Sequence, residues 1–182
     1  MKKLFLKYWW SLPLLMVVLM LTLLLLFTTV PTFFAVESDL EMFFSELYVP
    51  SSAERILLYR ELDSIKNDRD LETFKNRLRD RFGKIPIEGE ELLNVVPLRR
   101  LGKRLGCEKI ILKQGHMTLH FVSNPDSPYY QSEAFGLIIN YATRNVRRCS
   151  LRETRGKRTM IIQDIPSVQQ ALHILQDIKD GV

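Results

Sequence analysis

A chain of 182 residues, 46% hydrophobic and 26% charged, is long enough to bury a core and too apolar to be disordered throughout. Its two cysteines, Cys107 and Cys149, have neither the spacing of a disulfide framework nor that of a zinc site, and read as reduced, half-buried thiols. Of the formal charge of +5, residues 1–36 hold +3, residues 37–96 hold −5 and residues 97–182 hold +7, which suits oriented docking better than bulk nucleic-acid binding.

Between Lys7 and Glu37 no residue is charged, and Leu12 to Phe27 is nearly all Leu, Met and Val. An uncharged run longer than about 18 residues can span a bilayer as a helix. Tyr8, Trp9 and Trp10 sit where an interfacial aromatic belt would lie, beside lysines that stay cytoplasmic. Residues 1–36 therefore read as a transmembrane-like helix, with a signal peptide as the rival because Thr32 to Val36 loosely fits a cleavage site. A third reading is translation from a wrong frame. It predicts that upstream DNA, read in another frame, carries a coding sequence that runs into Glu37.

Residues 37–50 read as an extended lead-in, with Met42, Phe43, Phe44 and Leu47 among acids, stopped at Val49-Pro50. Ser51 with Glu54 fits a capping box, and Ile56, Leu57, Tyr59, Leu62 and Ile65 form the expected inner face of a first helix. Asn67-Asp68 caps a second, whose Leu71, Phe74, Leu78 and Phe82 repeat at helical spacing up to Gly83 and Pro86. A third runs from about Glu88 to Leu105 with Leu92, Leu93, Val96, Leu101 and Leu105 inward. Pro97 predicts a kink or break in it.

The period then changes to two. Lys109 to Leu112 and Met117 to Phe121 read as strands joined at Gln114-Gly115. Tyr129 to Thr143 reads as a helix. Val146 to Leu151 and Arg158 to Ile162 form a second hairpin turning near Arg155-Gly156, and Asp164 or Ser167 caps a last helix. The fold class is α+β: N-terminal helices, then two β-hairpin–helix units with an antiparallel sheet covered on one face.

Several strings add a resemblance. Leu58-Tyr59-Arg60-Glu61-Leu62, Leu78-Arg79-Asp80-Arg81-Phe82-Gly83 with Pro86, and Gly102-Lys103-Arg104-Leu105-Gly106 occur in order ahead of the first strand. Residues 51–182, with their lead-in, resemble the C-terminal (TRCF) domain of the bacterial transcription-repair coupling factor, Mfd, in a form similar to that of the Bacteroidetes. The resemblance implies a non-catalytic regulatory domain of transcription-coupled DNA repair, cytoplasmic, with ATP used only in motor domains absent from this chain. It implies docking onto a UvrB-like module, which masks the UvrA-binding surface until the motor engages RNA polymerase. It also implies that Asp80, before Arg81-Phe82-Gly83, takes part in that contact, with Arg77 and Arg81 as the candidate docking residues beside it. Where the family carries an acid three residues earlier, this sequence has Arg77.

No catalytic or cofactor-binding constellation is present. Gly83-Lys84 and Gly102-Lys103 lack the earlier glycine and the hydroxyl of a phosphate-binding loop. His116 and His120 share one strand face without a third ligand, so no metal is expected. Arg144, Arg147, Arg148, Arg152, Arg155, Lys157 and Arg158 form a candidate basic surface opposed only by Glu153. Strand alternation splits them and no aromatics interleave, so weak or no direct nucleic-acid binding is expected. The alternative function is a membrane-anchored protein with a basic binding domain; it requires that residues 1–36 be translated and inserted.

Overall fold

The structure, a computed structural model, describes residues 34–154 and 156–181; the transmembrane-like span expected over residues 1–36 falls outside them up to position 33. Among the described residues no helix is long and apolar enough to cross a membrane. The elements follow in the order β1 (Ala35–Ser38), α1 (Ser52–Ser64), α2 (Asp68–Phe82), α3 (Ile87–Arg104), β2 (Cys107–Lys113), β3 (His116–Phe121), a 3-10 turn (Pro128–Gln131), α4 (Glu133–Arg144), β4 (Cys149–Thr154), β5 (Lys157–Gln163) and α5 (Val168–Asp180). The α+β class and the two hairpin–helix units are present.

The sheet departs from expectation. Its order is β1-β2-β3-β5-β4, and β1 runs parallel to β2, with Ala35 opposite Lys109 and Ser38 opposite Leu112. The other pairs are antiparallel, so the sheet is mixed rather than antiparallel. The cause is topological. A parallel pair needs a crossover of a dozen residues or more, and the three helices between β1 and β2 supply it. Ala35 and Val36, which by sequence went with the apolar head, are therefore sheet residues.

Local chemistry sets the element ends. Ser51, Asn67, Ser132 and Ser167 each accept a hydrogen bond from the third residue of the helix they precede, at Glu54, Asp70, Phe135 and Gln170. Ser167, not Asp164, is thus the last cap. The aromatic pair Tyr129-Tyr130 lies in the 3-10 turn, and α4 starts only after Ser132, later than expected. Gln114 and Gly115 both take positive φ, 54° and 71°, the backbone of a two-residue hairpin turn that matches strand twist. The second hairpin starts at Cys149 rather than Val146, which is exposed. α3 is one uninterrupted helix through Pro97, so the expected break is absent.

Two cores form on opposite sides of α3. Leu93 and Val96 join Phe44, Leu58, Leu62, Phe74 and Leu78 in a helical core. Leu98 and Leu105 join Ile110, Leu119, Met160, Ile138 and Leu175 in a core between the sheet and α4–α5. Leu98 escaped the sequence pattern because a helix buried on two sides shows no single apolar stripe. In α1 the expected face is displaced: Leu58 and Leu62 are buried, whereas Ile56 and Leu57 are exposed. The lead-in is anchored rather than loose. Phe44 and Val49 are buried, and the Phe44 N–H donates to the Tyr59 hydroxyl at 2.9 Å. Burying a side chain of that size contributes about 2 kcal/mol, enough to fix a segment without secondary structure of its own.

Candidate functional site

The second helix, α2, places the charged run singled out in the sequence. Leu71, Phe74 and Leu78 face the helical core, so Arg77, Asp80 and Arg81 stand on the solvent side. Three of the arginines in this run are already engaged. Arg77 meets Glu61 of α1 at 2.5 Å and lies over the Phe74 ring. Arg79 meets Glu72 at 3.2 Å and Glu90 at 3.7 Å. Arg81 meets Glu54, in the first turn of α1, at 2.5 Å. These pairs tie α2 to α1 and α3, each contributing modestly because both partners touch water.

Asp80 has no ion-pair or hydrogen-bond partner for its carboxylate among the described residues. It lies in the last turn of α2, where exposed backbone carbonyls and the helix dipole disfavour an anion. An acid at that end works against the helix, while its arginine neighbours are neutralised. Beside Arg79 an open cleft of about 760 Å³ is lined by Gly83, Lys84, Ile85, Pro86, Ile87, Glu90 and Gln169. The Ile87 side chain is 74% exposed. Asp80 and Ile87 thus put an unpaired charge and a bare apolar group on either side of the α2–α3 turn.

The candidate basic surface does not hold together. Arg144 donates to the Gly181 carbonyl at 2.9 Å. Arg148 donates to the carbonyls of Gln163 and Asp164. Arg158 pairs with Glu153 at 2.9 Å, with its guanidinium 4.3 Å from the Tyr130 ring centre. Those three hold the fold. Arg152 and Lys157 point to the opposite, outer sheet face, Arg147 lies in the exposed turn before β4, and Arg155 lies outside the described residues. Strand alternation is the reason for the split.

Tyr129 and Tyr130 are packing residues here. Their hydroxyls donate to the carbonyls of Leu105 at 2.7 Å and Val122 at 2.5 Å, and their rings pack edge-on against Phe135. Gly83-Lys84 follows a helix and Gly102-Lys103 lies within one, so neither pair sits between a strand and a helix start as a phosphate-binding loop does. His116 and His120 project from the outer sheet face. Desolvation, then Lys109 and Lys157, lower the His120 pKa. Among the described residues no three His, Cys, Asp or Glu side chains are grouped as a metal site would need.

The family model of the TRCF domain matches residues 38–132, just over half of the chain. The chain belongs to the TRCF domain family. The transcription-repair-coupling factor of Rickettsia prowazekii is 34% identical over 87 residues, 48% of this chain and 8% of the relative. That of Escherichia coli is 33% identical over 63 residues, 35% and 6%. That of Staphylococcus epidermidis is 28% identical over 90 residues, 50% and 8%. This TRCF-domain chain therefore spans less than a tenth of the relatives it matches. A crystal structure of the C-terminal domain of transcription-repair coupling factor shares its fold, with a TM-score of 0.62 at 16% identity over 81% of this chain and 94% of that one.

What sequence reasoning missed is Asp80's isolation. The acids that neutralise its arginine neighbours Arg77 and Arg81 belong to α1, and only the packing of α1 on α2 reveals the pairing.

Proposed function

We propose that the TRCF-domain chain is a non-catalytic docking module of a transcription-repair coupling factor, whose helical layer covers a UvrB-like module and so masks a UvrA-binding surface. The supporting observation is Asp80, the charge left over when Arg77, Arg79 and Arg81 pair within the domain. A charge retained at an unfavourable helix end and without an internal partner is available to a cation on another surface. Ile87 and the cleft beside it supply an apolar anchor. Arg77 belongs to the internal frame, and Arg81 positions the α2 end through Glu54. Release would follow when the motor engages RNA polymerase, with ATP turnover confined to the motor domains of the longer relatives. On this reading the domain works in the cytoplasm.

The test is binding of this chain to an isolated UvrB-like module, measured by calorimetry. Asp80→Lys weakens binding by about tenfold or more, and an Arg→Glu exchange on the partner restores it. Unchanged affinity for Asp80→Lys would remove Asp80 from the contact.

A further inference from the structure

The helices α4 and α5 cover one face of the sheet, and among the described residues nothing covers the other. Register places Glu37 of β1, Lys109, Ile111 and Lys113 of β2, His116, Thr118 and His120 of β3, Lys157, Thr159 and Ile161 of β5, and Ser150 and Arg152 of β4 on that outer face. Its centre is a row running Ile111, Thr118, Ile161 across three adjacent strands. Cations stand at both ends of the strands. Glu37, an acid on this face, is shared by Lys109 at 2.6 Å and Lys113 at 3.5 Å. The face is therefore a half-buried row of two isoleucines and a threonine in a basic frame.

We propose that this outer face docks an acidic amphipathic helix of a partner protein, with the apolar side of the helix on Ile111, Thr118 and Ile161 and its carboxylates on Lys109, Lys113, Arg152 and Lys157. Charge selects the occupant. A nucleic acid would set phosphates over the two isoleucines and find no aromatic ring on this face to stack on. Residues 1–33 of this chain carry lysines and no acid, the wrong sign for the frame. An apolar centre with a charged rim is the arrangement in which the centre supplies binding energy and the rim supplies orientation.

Histidine provides a signature. His120 stands between Lys109 on β2 and Thr159 on β5, and its surroundings include Lys157, Glu37 and Glu108. Its Nε2 is enclosed and has no hydrogen-bond partner. A carboxylate arriving beside it favours the imidazolium, so docking tightens as pH falls.

The experiment titrates the full chain into a labelled Glu/Leu amphipathic peptide of about 18 residues, read by fluorescence anisotropy, with amide exchange locating the contact. The expected result is protection of β2, β3 and β5 and no binding of the matching Lys/Leu peptide. Arg152→Glu with Lys157→Glu weakens binding at least about tenfold, and far-ultraviolet circular dichroism checks that the exposed replacements leave the fold intact. Binding tightens severalfold from about pH 7.5 to about pH 6, and His120→Gln removes that dependence. Four results overturn the proposal: no peptide binding, protection confined to α1 and α2, a DNA duplex that binds this face more tightly than the peptide, or salt-sensitive self-association through this face in sedimentation without peptide.

Discussion

Phe34 is the residue through which the packing of the chain leading into β1 can be tested. Its side chain is 9% exposed within the sheet core, and Lys103 Nζ lies 5.9 Å from its ring centre. Gly102 makes room for it. A Cβ on Gly102 would lie 2.6 Å from Phe34 Cζ and 2.7 Å from Ile110 Cδ1. Removing a buried phenylalanine side chain costs about 3–5 kcal/mol, and Phe34 at the edge of its core belongs at about 3. For a domain of this size that is a fall in Tm of roughly 6–12 °C. Gly102→Ala combines about 1 kcal/mol of gained helix propensity with an overpacking cost of about 1–3, a net loss near 1. In a Phe34→Ala background one of the two clashes disappears, so the double variant loses less than the sum by at least about 0.5 kcal/mol. Urea unfolding of the four proteins, followed by circular dichroism, measures the cycle. A loss below about 1 kcal/mol for Phe34→Ala, or strict additivity, would refute the packing of Phe34 on Gly102.

Other outcomes follow from single features. Pro97 lacks the N–H that would reach the Leu93 carbonyl, so Pro97→Ala raises stability by about 1–3 kcal/mol in the same urea assay. Tyr129→Phe removes the bond to the Leu105 carbonyl and lowers stability by about 1 kcal/mol, with no new cavity. Burial pushes the Cys107 thiol up to about 12, against about 8.5 in an unfolded chain. Its raised value stabilises the fold fully below about pH 8.5, and that contribution drains away as pH rises toward 12. Stability profiles should therefore fall through this window, and less steeply for Cys107→Val. In thiol labelling at neutral pH, half-buried Cys149 reacts before Cys107.

The helix ends were readable in the sequence because capping is local chemistry: Ser51, Asn67 and Gly83 do what their types do anywhere. The hairpin at Gln114-Gly115 was readable for the same reason. β1 was not, since four residues at the end of an apolar run carry no period of their own, and their order comes from β2 far along the chain. The buried face of α1 was misjudged because apolar residues lie all around it, and only contact with α2 and α3 selects Leu58 and Leu62 over Ile56 and Leu57. The same holds at the candidate site. Asp80 could be picked out by its place before Arg81-Phe82-Gly83, but its lack of a partner depends on which acids α1 delivers to the arginines.

The parallel pairing of β1 with β2 has a consequence for synthesis. Everything from Asp39 to Gly106, the whole helical layer, is looped out between two neighbouring strands. A ribosome working at about 5–20 residues per second makes those roughly seventy residues in about 3–14 s. During that interval Phe34 and Val36 have emerged, but the strand and core that shelter them do not yet exist. Closing so long a loop adds little to the equilibrium cost, which grows only as the logarithm of length. The delay is temporal: through that interval the first strand of the sheet waits for its partner β2, open meanwhile to whatever apolar surface a chaperone or membrane presents.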